Sequence, residues 1–203
     1  MGSCSFPGHP EGLDPLHTQA EALLDGGVGK RLAYVDVPSQ RKPTRVPLAV
    51  LAGRQDGPTV WINAALHGDE YLGPAVVAHL LRHLEPENVR GRLILTPTLN
   101  VSGVEAMQRA DPGEPTDLNR VWTASHAGPV SGLVAWAHAT LLERSDFVID
   151  LHSGGNRYLQ RSFVAYPRVG GRVDGEACAF AKACGVPWIW AHRSSILEEA
   201  LVT

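Results

Sequence analysis

The sequence lacks the features that mark membrane, nucleic-acid-binding and secreted proteins. No apolar run reaches the roughly 18–20 residues that cross a bilayer. The first residues have neither the charged nor the apolar region of a secretory signal. A formal net charge of -3 gives no electrostatic reason to bind nucleic acid or an anionic membrane. We therefore expect neither kind of partner.

Cysteine is also scarce and unclustered. Cys4, Cys178 and Cys184 form an odd set that does not suggest a disulfide framework. Such usage is typical of a reducing compartment, so we expect a cytoplasmic protein. Cys178 and Cys184 lie in an apolar helical stretch, which favours a place in the core over a role as metal ligands.

What remains is the composition of an ordinary globular protein, with 44% hydrophobic and 19% charged residues. The length of 203 residues suits one domain with a sizeable core. Since no repeat, low-complexity tract or linker interrupts the chain, we expect a single domain over residues 1–203. Residues 1–14, rich in Gly and Pro, are expected to be disordered.

Hydrophobic periodicity predicts strands that alternate with helices. Helices are predicted over residues 15–24, 70–84, 130–142, 175–184 and from 194 onward, and strands over 31–37, 45–52, 59–66, 92–98, 146–151, 163–166 and 187–190. The first two strands are expected to form a hairpin, and residues 101–128 to form a long functional loop. This alternation favours an α/β fold with a mixed, largely parallel sheet flanked by helices on both faces.

The chain is organised around a stretch that combines a buried strand with a tight turn. Thr59 to Leu66 is almost continuously apolar or β-branched, and Gly68 interrupts it. One turn then separates His67 at the strand end from Glu70, where a helical pattern begins with apolar residues at Leu72, Val76, Leu80 and Leu84. His and Glu placed in this way can bind one zinc ion. The alternative is a surface His beside a Glu that favours the helix dipole.

A second buried strand delivers another histidine. His152 follows the apolar run from Phe147 to Leu151. If the two strands are parallel neighbours, their carboxyl ends meet, and His67, Glu70 and His152 converge in the pattern of catalytic zinc. Asp150 would support His152 only if it points to the site. The alternative for His152 is a hydrogen bond to the backbone.

The long loop carries Arg109 and then Asp117-Leu118-Asn119-Arg120. The planar fork of Arg binds two carboxylate oxygens at once, and Asn adds a directional donor. These residues therefore suit recognition of a carboxylate, although such residues in an exposed loop are usually only solvated.

Three motifs in this order, His67-Gly68-Asp69-Glu70, Asp117-Leu118-Asn119-Arg120 and Asp150-Leu151-His152, resemble the succinylglutamate desuccinylase/aspartoacylase family. That family belongs with the M14-type zinc carboxypeptidases, and the similarity runs from about Val46 to about Pro187. The resemblance implies a zinc-carboxypeptidase-like fold and one zinc per chain, bound by His67, Glu70 and His152. It also implies that Asn119 and Arg120 hold a substrate carboxylate, and that Arg109 polarises the scissile carbonyl.

Two departures from the family pattern are visible. Val121-Trp122-Thr123 stands where the family often has a Phe-Pro-Gly type turn, so the pocket edge is expected to differ. The family's general-base Glu lies on a late strand, in a C-terminal part that we expect this chain to lack. Glu198 and Glu199 are the only late carboxylates, and their helical context favours solvated side chains.

The predicted function is a zinc-dependent hydrolase that cleaves the amide bond of a small N-acyl amino acid or related compound. Zinc would polarise the carbonyl and lower the pKa of its bound water towards about 7, and Arg109 would stabilise the oxyanion. Two alternatives stay open: a zinc carboxypeptidase acting on peptides, and a metal-binding fragment impaired by the lack of a base. The expected partner is a small molecule with a carboxylate, and a homo-oligomer stays open.

Overall fold

The computed structural model describes residues 15–37, 44–113, 116–122, 131–168 and 170–193. Its helices and strands are α1 (Pro15–Leu24), β1 (Gly29–Val37), β2 (Thr44–Ala52), β3 (Gln55–Ala64), α2 (Leu72–His83), β4 (Arg90–Thr96), α3 (Val101–Glu105), α4 (Ser131–Ala137), β5 (Phe147–Leu151), β6 (Val164–Arg168), α5 (Arg172–Ala183) and β7 (Ile189–Arg193). Short 3-10 turns lie at Pro86–Asn88 and Leu118–Arg120, and a π-helical turn at His138–Leu142 continues α4. Within these ranges, no helix has the length and apolar character that a membrane span requires.

Five strands form one mixed sheet in the order β1-β2-β4-β3-β5. The pairs β1/β2 and β2/β4 are antiparallel, so the predicted hairpin is confirmed. Strands β4, β3 and β5 run parallel, and β6 and β7 form a separate parallel pair. The sheet is therefore parallel in the half that follows the hairpin, in agreement with the predicted mixed, largely parallel α/β fold.

The sheet separates two apolar cores, because alternate residues of a strand point to opposite faces. On β2, Val46, Leu48 and Val50 belong to the core under α1 and α4. Ala49 and Leu51 belong to the opposite core, which contains Val77 of α2. Helices therefore cover both faces, as predicted. In α4 and the π-helical turn that continues it, four apolar residues are buried: Leu133, Val134, Ala137 and Leu141.

Several predicted boundaries were wrong. Strand β3 begins at Gln55, four residues before the predicted start at Thr59. Gly57 and Pro58 lie inside the strand, where the register with β4 shifts between Gln55 and Thr59. The same strand ends at Ala64, two residues earlier than predicted, and α2 begins two residues later than predicted.

The predicted apolar stripe of α2 is only partly correct. Val77 is buried, but Leu72 is 68% exposed and Val76 is 46% exposed. Gly73 occupies the contact with the sheet instead, where an added Cβ would lie 3.0 Å from the Cβ of Ala64. The helix therefore approaches the strand ends through its smallest residue, and its first large apolar side chains face outward.

Other expectations differ or lie outside the described residues. The predicted loop of residues 101–128 contains α3 and a 3-10 turn. Cys178 is half-buried and Cys184 is exposed, so the expectation that both lie in the core was wrong for Cys184. The predicted helix from residue 194, with Glu198 and Glu199, and the expected disorder of residues 1–14 fall outside the ranges given above.

Candidate metal centre and active site

Two parallel strands bring the two candidate histidines together. Strands β3 and β5 pair in register, with Ala64 opposite Leu151, so both end at the same level of the sheet. His67 and His152 follow these ends, and Glu70 lies between His67 and α2. The potential ligand atoms of His67, Glu70 and His152 all lie within 4.8 Å of one another, which is close enough to hold one metal ion.

The turn that carries His67 and Glu70 is fixed by close backbone contacts. The N–H of Gly68 donates to the carbonyl of Arg109 at 3.1 Å, and the N–H of Glu70 donates to the carbonyl of His67 at 3.2 Å. The side chain of Asn100 donates to the carbonyl of Leu66 at 3.2 Å. These contacts explain why a single turn, rather than a helix start, presents the imidazole and the carboxylate to the same point.

The Glu70 carboxylate lies between the two imidazoles. Its Oε1 is 2.8 Å from Nδ1 of His67, and its Oε2 is 3.0 Å from Nδ1 of His152. The N–H of Ser153 donates to Oε2 at 2.7 Å. Burial alone would raise the pKa of Glu70, but hydrogen bonds from His152, His67 and Ser153 outweigh it and lower the pKa to about 2. Glu70 is therefore held as a carboxylate.

The outer ring nitrogens are held by two further carboxylates. Nε2 of His67 is 2.9 Å from Oδ1 of Asp117, and Nε2 of His152 is 2.8 Å from Oδ2 of Asp150. Burial would lower the pKa of His152, but the charges and hydrogen bonds of Asp150 and Glu70 outweigh it and raise the pKa to about 10. For His67, the hydrogen bonds of Asp117 and Glu70 outweigh burial and also raise the pKa.

This donor set fits a divalent metal. Histidines that bind metals donate the outer ring N–H to a carboxylate, which leaves the other nitrogen free to coordinate. Here Asp117 and Asp150 are the carboxylates beside the outer nitrogens. Both Nδ1 atoms face Glu70. The surface-histidine alternative for His67 was wrong, because the residue is 2% exposed. The contacts of His152 are carboxylates, so the backbone alternative does not describe it.

Arg109 reaches the same cluster from the loop after α3. Its guanidinium donates to Oδ2 of Asp117 at 3.0 Å and to Oε1 of Glu70 at 3.4 Å. The side chain is 52% exposed, so part of the guanidinium remains accessible beside the three potential ligands. The same carboxylate of Asp117 thus contacts both an imidazole and the guanidinium.

Asn119 and Arg120 lie in the 3-10 turn that Asp117 caps. Oδ1 of Asp117 accepts the N–H of Asn119 at 2.8 Å, and the Arg120 guanidinium donates to the carbonyl of Asn119 at 3.0 Å. Oδ1 of Asn119 is buried and has no hydrogen-bond partner within the described ranges. Both residues line the cavity that contains His67, Glu70 and His152. The loop therefore contributes a cationic side chain and an amide side chain to the lining of that cavity.

Three contributors to the site received no role from sequence reasoning. Asp117 contacts His67, and Asn63 donates to Oδ1 of Asp150 at 2.9 Å. Asn63 in turn accepts a hydrogen bond of 2.8 Å from the hydroxyl of Thr96. For Asn63 and Thr96, the available signal was a polar residue near the end of a buried parallel strand.

The departure at Val121-Trp122 affects packing next to the loop. Val121 is 4% exposed and Trp122 is 1% exposed, so both enter the core. The ring of Trp122 lies against Trp61 of β3, with centroids 6.0 Å apart. These two residues anchor the Asn119-Arg120 turn to the sheet.

The chain is similar to one protein family, to a characterised enzyme and to solved structures. Residues 56–197 match the succinylglutamate desuccinylase/aspartoacylase catalytic domain. The N-alpha-acetyl-L-2,4-diaminobutyric acid deacetylase of Halomonas elongata is 36% identical over 111 residues, which are 54% of this chain and 32% of that protein. A succinylglutamate desuccinylase from Silicibacter sp. TM1040 is 27% identical with a TM-score of 0.76, over 88% of this chain and 57% of that chain.

A more distant structure supports the fold alone. A metallo-carboxypeptidase from Burkholderia cenocepacia is 18% identical with a TM-score of 0.61, over 91% of this chain and 53% of that chain. The carboxypeptidase-like fold is thus confirmed. The chain spans about a third of the curated relative and about half of these two solved structures.

The close packing of Gly68 leads to a testable prediction. An added Cβ would lie 2.0 Å from the carbonyl carbon of Gly103 and 2.4 Å from the carbonyl oxygen of Gln108. Gly68→Ala should therefore displace the turn and lower the free energy of unfolding by about 1–3 kcal/mol, measured by urea denaturation. Gly27→Ala is the matched control, because nothing lies within 4 Å of the added Cβ. Equal losses in the two variants would contradict this account of the turn.

Proposed function

Because the chain belongs to the succinylglutamate desuccinylase/aspartoacylase family, we propose that it is a zinc-dependent hydrolase of a small N-acyl amino acid. The observation that carries the proposal is the grouping of His67, Glu70 and His152, whose potential ligand atoms lie within 4.8 Å of one another. The free thiols of Cys178 and Cys184 fit the cytoplasmic location that we also propose.

The chemistry of the donors favours zinc among divalent metals. Two imidazole nitrogens and one carboxylate, with a further position left for water or substrate, are the usual ligands of catalytic zinc. Bound zinc supplies Lewis-acid activation of the scissile carbonyl and of the attacking water. Within the protein, Asp117 and Asp150 orient the two imidazoles, and Glu70 supplies the negative charge that offsets the cation.

Three residues of the long loop suit the substrate. The exposed part of the Arg109 guanidinium lies beside Glu70 and can stabilise an oxyanion that develops on the scissile carbonyl. Arg120 and Asn119 line the same cavity and can bind a carboxylate through charge-assisted hydrogen bonds. We propose that this carboxylate belongs to the amino acid part of the substrate.

The names of the relatives narrow the candidate substrates. The Halomonas elongata enzyme is named for N-alpha-acetyl-L-2,4-diaminobutyric acid, and the Silicibacter structure for succinylglutamate. Both compounds are N-acyl amino acids with a free carboxylate. An acetyl or succinyl amino acid of this kind is therefore the substrate class that we propose here.

Hydrolysis also needs a general base for the attacking water. Glu70, Asp117 and Asp150 already contact the imidazoles, so each has a role in holding the cluster. Glu198 and Glu199 lie outside the described residues.

The function is tested by assaying the zinc-loaded protein with N-acetyl-2,4-diaminobutyrate, N-succinylglutamate and N-acetylaspartate. We expect release of the free amino acid from at least one of them, with loss of activity on chelation and recovery on adding zinc. An N-blocked dipeptide is the parallel substrate for the carboxypeptidase alternative. Hydrolysis of the dipeptide alone would favour that alternative, and zinc binding without any turnover would favour the impaired metal-binding alternative.

The metal site is tested by measuring zinc content after purification without chelator. We expect about one zinc per chain in the unsubstituted protein, and a large loss in His67→Ala and His152→Ala, because each removes one of three protein ligands. His79→Ala, which removes an exposed histidine of α2, is the control and should retain zinc. Unchanged zinc in the first two variants would exclude the proposed ligands.

The role of Arg120 is tested by Arg120→Lys, which keeps the charge but loses the planar fork. The free energy of binding a carboxylate product such as glutamate or 2,4-diaminobutyrate should become less favourable by about 1.5–3 kcal/mol, measured by titration calorimetry. Arg82→Lys, on the exposed side of α2, is the matched control and should bind like the unsubstituted protein. If the two variants bind equally well, Arg120 is only a solvated loop residue.

A further inference from the structure

Three polar side chains form a row across the parallel half of the sheet. Asn63 on β3 is in register with Thr96 on β4 and with Asp150 on β5. Their side chains are joined by hydrogen bonds of 2.8 Å and 2.9 Å. The row continues to His152, whose Nε2 is 2.8 Å from the second oxygen of Asp150. Polar groups on three adjacent strands therefore end at a proposed metal ligand.

The other end of the row is a group that can only donate. Nε1 of Trp61 donates to Oγ1 of Thr96 at 2.9 Å. The indole N–H has no acceptor capacity, so Thr96 must accept from it. The Thr96 hydroxyl proton is then available to Oδ1 of Asn63, 2.8 Å away. A donor-only group thus sets the direction of the first two hydrogen bonds.

This direction also fixes the Asn63 amide and, through it, Asp150. With Oδ1 of Asn63 facing the Thr96 hydroxyl, the amide NH2 faces Oδ1 of Asp150. The flipped amide would place its oxygen against the carboxylate, which offers no donor. Asp150 is therefore held by one oxygen, and its other oxygen is directed to Nε2 of His152. An N–H on Nε2 leaves Nδ1 of His152 as the nitrogen that can coordinate a metal.

We propose that Thr96 and Asn63 are positioning residues that set the ring orientation and the proton position of His152 for metal binding. The inference rests on the proposed zinc site and extends it into the core of the sheet. Trp61, Thr96 and Asn63 are 1%, 0% and 2% exposed, so water does not compete for these hydrogen bonds. A buried polar network that is fully paired holds its members in one arrangement.

The competing explanation is that the row only satisfies buried polar groups. Buried groups need partners whatever their role, so a loss of stability alone would not separate the two explanations. The distinguishing property is zinc affinity, because positioning acts on His152 whereas simple pairing acts on folding. A control threonine with the same burial and no connection to the site is therefore needed.

The decisive experiment compares Thr96→Val, Thr96→Ser and Thr140→Val. Thr140 is 3% exposed and lies in the π-helical turn, and its hydroxyl makes no hydrogen bond among the residues that the structure describes. It therefore matches Thr96 in size and burial. Zinc affinity is measured on the folded proteins by competition with a chromophoric chelator. We expect about a tenfold or greater loss for Thr96→Val, as for other groups that support metal-bound histidines. Thr96→Ser and Thr140→Val should retain the affinity.

A spectroscopic measurement gives the second result. In the zinc-loaded protein with labelled histidine, the Nε2 proton of His152 should exchange with water faster in Thr96→Val than in Thr96→Ser. If Thr96→Val does not fold, Asn63→Leu breaks the same row from the other side and should show the same loss of zinc affinity. Zinc affinity and proton exchange that match the Thr140→Val control would overturn the proposal.

The outcomes also separate this inference from the proposed zinc site. If the unsubstituted protein binds no zinc, the proposed metal site fails and the positioning role fails with it. If it binds zinc and Thr96→Val binds zinc equally well, the positioning role alone is overturned. Failure of Thr96→Ser to restore the affinity would likewise overturn it, because the hydroxyl would then not be the required group.

Discussion

The parallel pairing of β3 with β5 is the constraint on which the site depends. Ala64 lies opposite Leu151, and Asn63 lies opposite Asp150. The two strands therefore end at the same edge of the sheet, and the histidines that follow them lie at that edge. A slip of one residue would turn every side chain of a strand to the other face. The buried apolar residues on both faces of β3 oppose such a slip. Core packing therefore also determines whether His67 and His152 can meet.

Glu70 converts this proximity into a defined arrangement. A buried carboxylate is costly unless it is paired and hydrogen-bonded, and here both oxygens contact an imidazole while Ser153 adds a backbone donor. Asp150 and then Glu70 raise the pKa of His152, and His152 in turn helps to lower the pKa of Glu70, so each of the two groups stabilises the charged form of the other. The groups that would coordinate a metal are thus brought together by their own interactions.

The sequence predicted the parts of this arrangement that depend on local pattern. Buried strands, a strand-end His67 and His152, and the order of the three motifs all followed from residue types and spacing. It did not predict that Gly73 would replace Leu72 as the contact of α2, because periodicity counts apolar residues and a close helix approach favours the smallest one. The roles of Asn63 and Thr96 were not predicted for a different reason. A polar residue in an apolar run is informative only when the register shows which residues lie beside it.

Alternate residues of β3 point to the same face, and in this way the strand connects the apolar core to both the proposed substrate-binding turn and the proposed metal ligands. Trp61 and Asn63 lie two residues apart on β3 and share a face, so one strand contributes both an aromatic core contact and a member of the polar row. The ring of Trp61 also packs against Trp122, which lies two residues beyond Arg120. The row itself reaches His152 through Asp150. A single buried tryptophan therefore contacts the anchor of the proposed substrate-binding turn and begins the hydrogen-bonded row to a proposed metal ligand. Substitutions at Trp61 would consequently disturb the substrate-binding turn and the metal ligands together. Substitutions at Thr96 or Asn63 would disturb the metal ligands alone.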